Sequence, residues 1–164
     1  MDAFFYLWPF SSQKIFNMKY SLWICLLLAA ITLPGCDKED QRAIDEALIQ
    51  DFIEEHNLVT QTTPSGLHYI IDLPGSSEHP TINNNITFSY LGFLLNGDIF
   101  DLGDNVTYPL SGLIEGFQEG IPLFGKGGGG TLIIPSHLAY GASPQPGIPA
   151  NSVIVFEVSL IDFQ

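Results

Sequence analysis

The sequence predicts an α+β fold, in which several short β-strands are combined with one short helix and an N-terminal helical extension. Apolar and polar residues alternate over several short segments, which is the periodicity of half-buried strands. The 16 glycines and 11 prolines favour frequent turns over a helical bundle. The 164 residues are enough for one packed domain with additional segments, but not for two full domains.

Four strands and one hairpin turn are predicted. The strands are expected at residues 67–72, 86–93, 131–134 and 153–161. In the second strand, Phe88 and Tyr90 fall on one face. Asn96-Gly97-Asp98, which follows it, is typical of a hairpin turn. In the last strand the alternation assigns one face to Ile154, Phe156, Val158 and Leu160, and the other to Glu157 and Ser159.

The short helix is predicted at residues 113–124. Leu113, Phe117 and Ile121 recur at helical spacing and form an apolar stripe. Pro122 is expected to end the helix, because proline has no backbone N–H to donate.

The N-terminal extension contains a second predicted helix at residues 40–57. Its apolar stripe is expected to be Ile44, Leu48 and Phe52, with Ile49 and Ile53 beside it. Asp45 is expected among the polar residues that lie elsewhere on the helix. Two interpretations stay open. The helix packs on its own domain, or it is a spacer or dimer contact between a lipid anchor and the domain.

The segment before this helix has the pattern of a targeting signal. Lys19 precedes an apolar run at residues 22–33, which is too short for a membrane span but suits a signal peptide. Leu33-Pro34-Gly35-Cys36 resembles a bacterial lipobox, which predicts a lipid on Cys36 and a location at the cell envelope. An ordinary signal peptide and a short anchor helix are the alternatives.

Three regions follow from these patterns. Residues 1–36 are an upstream extension and a lipoprotein signal peptide, in which Met18 is a plausible start. Residues 37–61 are an acidic tether and the amphipathic helix, and residues 62–164 are the folded domain. Asp37-Lys38-Glu39-Asp40, at the start of the tether, resembles the surface-export signals of lipoproteins from the Bacteroidetes.

Composition and motifs exclude several classes of function. A formal net charge of −13 disfavours binding to nucleic acid. Gly120 to Lys126 has the spacing of a phosphate-binding loop, but Gly127 replaces the required Ser or Thr and a strand follows, so no nucleotide site is expected. The run Gly127–Gly130 is interpreted as a flexible turn. The histidines have no metal-ligand spacing, and no cysteine follows Cys36, so neither a metal site nor a thiol nucleophile is expected.

Five segments resemble, in order, the signatures of FKBP-type prolyl isomerases. They are Phe88-Ser89-Tyr90-Leu91-Gly92, Gly97-Asp98-Ile99-Phe100-Asp101, Leu113-Ile114-Glu115-Gly116-Phe117-Gln118-Glu119-Gly120, Ile134-Pro135-Ser136-His137-Leu138-Ala139-Tyr140-Gly141 and Ile154-Val155-Phe156-Glu157-Val158-Ser159-Leu160. The resemblance covers residues 62–164. It implies a twisted antiparallel β-sheet wrapped around one short helix, and an apolar pocket that rotates X–Pro bonds in proline-containing polypeptides without a cofactor.

The resemblance also implies which residues form the pocket. The catalytic residues would be Tyr90, Asp101, Tyr140 and Phe156. The substrate-binding residues would be Phe100, Tyr108, Leu113, Ile114, Phe117 and Ile148. Phe117 stands where the family often has Trp, and Tyr108 where Phe is usual. The alternative function is a non-catalytic peptide-binding or assembly module that keeps the pocket as a grip.

Overall fold

A computed structural model describes the backbone of residues 38–164 and the side chains from Asp40 onward. The predictions for the targeting segment, including the lipid on Cys36, lie outside these described residues. The two helices are α1, Lys38–Glu55, and α2, Glu115–Gly120. The strands are β1, Gln61–Thr62; β2, His68–Leu73; β3, Asn85–Leu94; β4, Ile99–Pro109; β5, Gly129–Ile134; and β6, Ile154–Phe163.

The strands form one antiparallel sheet in the order β1-β2-β5-β6-β3-β4. The α+β prediction is confirmed, and each predicted strand is present within one or two residues of its expected bounds. Strand β4 was not predicted, because it lies at the sheet edge and lacks regular alternation. Ile99 and Leu102, for example, are both exposed. Its pairing with β3 is interrupted by two register shifts.

Helix α2 is shorter than predicted. It covers Glu115–Gly120 and continues as a 3₁₀ turn over Ile121–Leu123, where Pro122 cannot donate to the preceding turn. The helix lies close to β5, since a Cβ on Gly116 would come within 2.5 Å of the Ile134 side chain. It therefore covers one face of the sheet and encloses the larger apolar core, to which Phe88, Phe117, Leu132 and Phe156 belong.

Helix α1 packs against a second apolar cluster. Its residues Ile49 and Phe52 are buried with Ile133, Val153 and Val155 of the sheet region. Val155 alternates with Ile154 and Phe156 along β6, so α1 and α2 cover opposite faces of the sheet.

The predicted apolar stripe of α1 is wrong at two of its three positions. Ile44 and Leu48 are 52% and 43% exposed, whereas Asp45 and Ile49 are fully buried. The stripe that is buried in the structure consists of Asp45, Ile49 and Phe52. It shares Phe52 with the predicted stripe, and both have helical spacing. The helix is rotated toward Asp45 because that carboxylate has buried hydrogen-bond donors, and burial of an unpaired carboxylate would be costly.

Two polar contacts fasten α1 to the domain. The Oδ2 atom of Asp45 accepts hydrogen bonds from the Ser136 amide at 2.9 Å and the Ser136 hydroxyl at 2.7 Å. Glu46 Oε2 lies 3.1 Å from the Nε2 atom of buried His68 on β2. The helix is thus tied both to strand β2 and to the turn that follows β5.

The glycine run after α2 is only partly a turn. Gly127 has a φ of +77°, which fits a turn, but Gly129 and Gly130 belong to β5. A Cβ on Gly130 would overlap the Ile70 carbonyl oxygen of the paired strand. The prediction of a flexible turn was therefore wrong for these two residues, since glycine here permits close strand pairing. Within the described part of the chain, no helix is long and apolar enough to span a membrane.

Candidate active site

Aromatic rings from four elements meet where α2 covers the sheet. Phe117 of α2 and Phe156 of β6 have ring centroids 4.5 Å apart. Tyr90 of β3 lies edge-on to Phe156 at 5.8 Å, and Phe88 of the same strand lies edge-on to Phe117 at 5.8 Å. Phe100 of β4 contacts Phe156 at 5.5 Å with an interplanar angle of 87°. Edge-to-face pairs at these distances hold one another in fixed orientations.

Four of these five rings, all except Phe100, line a cavity of about 270 Å³, which we call the aromatic cavity. Eight of the ten residues predicted for the pocket line it, namely Tyr90, Asp101, Tyr108, Leu113, Ile114, Phe117, Tyr140 and Phe156. The local fold explains the convergence. Alternation places Phe88 and Tyr90 on the inner face of β3, and the turn before α2 brings Leu113 and Ile114 to the wall.

The other two predicted residues are not among those that line the cavity. Phe100 packs against the ring of Phe156, and Ile148 is buried in the larger core. Ile148 exchanges two backbone hydrogen bonds with Gln145, both at 2.9 Å, which close the loop after Tyr140.

Sequence reasoning missed two lining residues, Phe88 and Gly112. Phe88 was recognisable, because it shares a strand face with Tyr90. Gly112 carried no such signal, since its place depends on the 3₁₀ turn at Leu110–Gly112.

A hydrogen bond orders the polar side of the cavity. The Tyr90 hydroxyl donates to Asp101 Oδ2 at 2.8 Å, and the Leu102 amide donates to Asp101 Oδ1 at 2.9 Å. Partial burial, followed by the hydrogen bond and the negative charge of Asp101, raises the pKa of Tyr90 far above its ordinary value. Burial and then the same charge also raise the pKa of Tyr140. Both hydroxyls therefore keep their protons at neutral pH and can donate hydrogen bonds.

Two donors beside the apolar rings, the Tyr140 hydroxyl and the Ile114 amide, have no protein partner among residues 38–164. The hydroxyl of half-exposed Tyr108 also has none there. The Ile114 carbonyl is occupied, because it accepts from the Phe117 amide at 2.9 Å and the Gln118 amide at 3.1 Å. The cavity thus combines an apolar interior with two donors that a ligand carbonyl can accept from.

A sequence model of the FKBP-type peptidyl-prolyl cis-trans isomerases matches residues 76–161, which is more than half of the chain. The chain belongs to this FKBP family. Strands β3 to β5, helix α2, β6 as far as Ile161 and every residue lining the aromatic cavity fall within the matched region.

Similar proteins of known family support the assignment of this chain to the FKBP family. It is 36% identical over 130 residues to the FKBP-type peptidyl-prolyl cis-trans isomerase FkpA of Escherichia coli (strain K12), a match that covers 77% of this chain and 47% of FkpA. It is 36% identical over 106 residues to the peptidyl-prolyl cis-trans isomerase Mip of Coxiella burnetii, covering 62% of this chain and 46% of Mip. The FKBP chain thus spans about half the length of these relatives.

Solved structures agree on the FKBP fold. The crystal structure of FkpA from Escherichia coli superposes with a TM-score of 0.67 at 31% identity, covering 92% of this chain and 74% of that one. The crystal structure of AtFKBP13 has a TM-score of 0.60 at 29% identity and covers 65% of this chain and all of the other. The match with AtFKBP13 therefore leaves about a third of this FKBP chain without an equivalent.

Proposed function

We propose that this protein is a peptidyl-prolyl cis/trans isomerase that binds a proline side chain in the aromatic cavity and rotates the preceding X–Pro bond. The observation that carries the proposal is the cavity itself, where stacked and edge-on rings stand beside two unpartnered donors in an FKBP-family chain. Its substrates would be proline-containing polypeptides, and no cofactor is needed.

The chemistry follows from the amide bond. Resonance opposes rotation of an X–Pro bond with a barrier of about 18–20 kcal/mol. The planar amide is more polar than the twisted one, so an apolar cavity disfavours the planar form relative to the transition state. Donors placed to bind the twisted substrate would stabilise that state further, and interactions present only there raise the rate.

Each residue then has a role. The rings of Phe117 and Phe156 would hold the proline, and the Phe100 ring, edge-on to Phe156, would fix the orientation of the Phe156 ring. The Tyr140 hydroxyl and the Ile114 amide would donate to substrate carbonyls. Asp101 would orient the site through the Tyr90 hydroxyl, 2.8 Å away, without acting as a base. The remaining lining residues would exclude water from the amide.

The activity is tested on a proline tetrapeptide, with the full chain as catalyst. We expect catalysis that survives exhaustive chelation of metals. The Tyr140→Phe variant should retain the ring and its packing but turn over about twofold to tenfold more slowly, because one hydrogen bond contributes about 0.5–1.5 kcal/mol. Loss of activity on chelation would contradict the mechanism without metal. Undetectable activity together with peptide binding would favour the alternative, a non-catalytic binding or assembly module.

We also propose that Cys36 carries a lipid, which would anchor the isomerase at the cell envelope, where it would act on exported polypeptides. The support is the sequence of residues 18–36, with its basic start, apolar run and lipobox-like end. The resemblance of residues 37–40 to Bacteroidetes export signals supports a surface location.

The lipid is tested by Cys36→Ser, with Cys25→Ser as a matched control in the same segment. We expect the Cys36 variant to remain unprocessed or to leave the membrane fraction, while the Cys25 variant behaves like the wild type. Metabolic labelling with a fatty acid should be lost in the Cys36 variant alone. Equal labelling of all three proteins would rule out Cys36 as the lipid attachment site.

A further inference from the structure

A second depression lies directly beside the aromatic cavity. It is a cleft of about 520 Å³, which we call the Arg42 cleft. Its walls come from the N-terminal part of α1 (Gln41, Arg42), the start of α2 (Glu115), the 3₁₀ turn after β5 (Ser136, His137, Leu138) and the loops around Ser65, Gly141 and Asn151.

The cleft and the cavity share two pieces of backbone. Ile114 lines the cavity and the next residue, Glu115, lines the cleft. In the same way Tyr140 lines the cavity and Gly141 lines the cleft. The two sites thus adjoin at both the Ile114–Glu115 and the Tyr140–Gly141 peptide bonds. A polypeptide with its proline in the cavity continues in both directions, and a flank that crossed either of these peptide bonds would enter the cleft.

The charge of Arg42 is unusual in this chain. Arg42 and Lys126 are the two Lys or Arg residues between positions 40 and 164, in a protein with a net charge of −13. Lys126 forms an ion pair with Asp162 at 2.7 Å. None of the acidic side chains from Asp40 onward lies within ion-pair distance of Arg42, which is exposed. An exposed guanidinium in the wall of a cleft is suited to bind a carboxylate.

We propose that the Arg42 cleft is an extended substrate subsite, in which Arg42 binds an acidic side chain of the polypeptide that flanks the X–Pro bond. This proposal rests on the proposed isomerase function and adds a substrate class to it. The backbone of α1 near Arg42 is held in place, because Gln41 donates to Asp45 at 2.8 Å and Asp45 is bonded to Ser136. Helix α1 would then contribute to substrate selection as well as to packing.

The test uses proline-containing peptides that carry Glu or Gln at one position, placed in turn two to four residues before or after the proline. At low salt, we expect the wild type to favour Glu over Gln at one of these positions by about twofold to fivefold in kcat/KM, mainly through KM, because exposed ion pairs are weak. The preference should disappear in Arg42→Gln, should be partly retained in Arg42→Lys, and should fall as salt is added.

Lys126→Gln is the matched control, because it removes one positive charge at a residue outside both depressions. It should leave the Glu-to-Gln ratio as in the wild type. Equal ratios in the wild type and Arg42→Gln at every position would overturn the proposal, as would an equal change in Lys126→Gln. A preference for Lys that is lost in Glu115→Gln would also overturn it and would assign the selectivity to Glu115. Wild-type activity on a short proline tetrapeptide tests the isomerase function separately. Failure of the Arg42 subsite can therefore be distinguished from failure of the isomerase function.

Discussion

Replacing Phe156 with alanine is expected to lower the free energy of unfolding by about 3–5 kcal/mol, the usual cost of truncating a buried Phe. Phe156 is 3% exposed, and its ring contacts those of Tyr90, Phe100 and Phe117. The same change opens the wall of the aromatic cavity, where the proline would be gripped. We therefore expect kcat/KM for a proline tetrapeptide to fall by at least an order of magnitude. Denaturant unfolding and the activity of the folded protein measure the two effects.

Leu160→Ala separates stability from activity. Leu160 is fully buried on the same face of β6 as Phe156 but does not line the cavity. Its truncation should cost about 2–5 kcal/mol of stability. At a temperature where both variants stay folded, Leu160→Ala should keep most of its kcat/KM. If both variants lost activity equally, Phe156 would have no role beyond its contribution to the core.

Replacing Asp45 with alanine is the second change with a large expected effect. Asp45 is fully buried and accepts hydrogen bonds from the Ser136 amide and hydroxyl and from Gln41. Alanine would leave the two buried Ser136 donors without their acceptor. Because each such donor costs about 1–3 kcal/mol, we expect a loss of about 2–5 kcal/mol in the free energy of unfolding.

The same substitution should reach the aromatic cavity through Ser136. The Ser136 carbonyl accepts from the amides of Ala139 at 3.0 Å and Gly141 at 2.8 Å, which flank Tyr140. Loss of Asp45 should therefore also lower kcat/KM in the folded protein. Asp51→Ala is the control, since Asp51 is an exposed acid of α1 and its loss should change stability by no more than about 0.5 kcal/mol. Equal stability of the two variants would show that the Asp45–Ser136 contact contributes little.

Local periodicity was enough to predict much of the sheet. The alternation in β6 predicted its buried and exposed residues correctly, because each face of a strand repeats every second residue whatever its neighbours are. Strand β4 was not predicted from the sequence. It is an edge strand with register shifts, so most of its side chains lie in solvent and its residues show little periodicity. Gly129 and Gly130 were predicted to lie in a turn but belong to β5. From sequence alone, a glycine within a strand cannot be distinguished from one within a turn until the paired backbone is known.

For the candidate site, the sequence predicted most of the lining residues but not their arrangement. The ordered motifs indicated ten residues; eight of them line one cavity, whereas Phe100 packs against Phe156 and Ile148 is buried in the larger core. Which side chains reach a cavity depends on loops and helix position, and Gly112 enters only because a 3₁₀ turn puts it there. The adjoining cleft was not predicted, since it needs residues from α1, α2 and the loop after Tyr140 together.

The sequence by itself determined four of the six strands, the approximate positions of the two helices and the apolar residues that could form a core, because these follow from spacing along the chain. Only the tertiary structure decided which face of α1 is buried. The stripe through Ile44 and the stripe through Asp45 fit a helix equally well. The Asp45 face of α1 is buried because Ser136, 91 residues away in the chain, supplies two hydrogen-bond donors to the buried carboxylate.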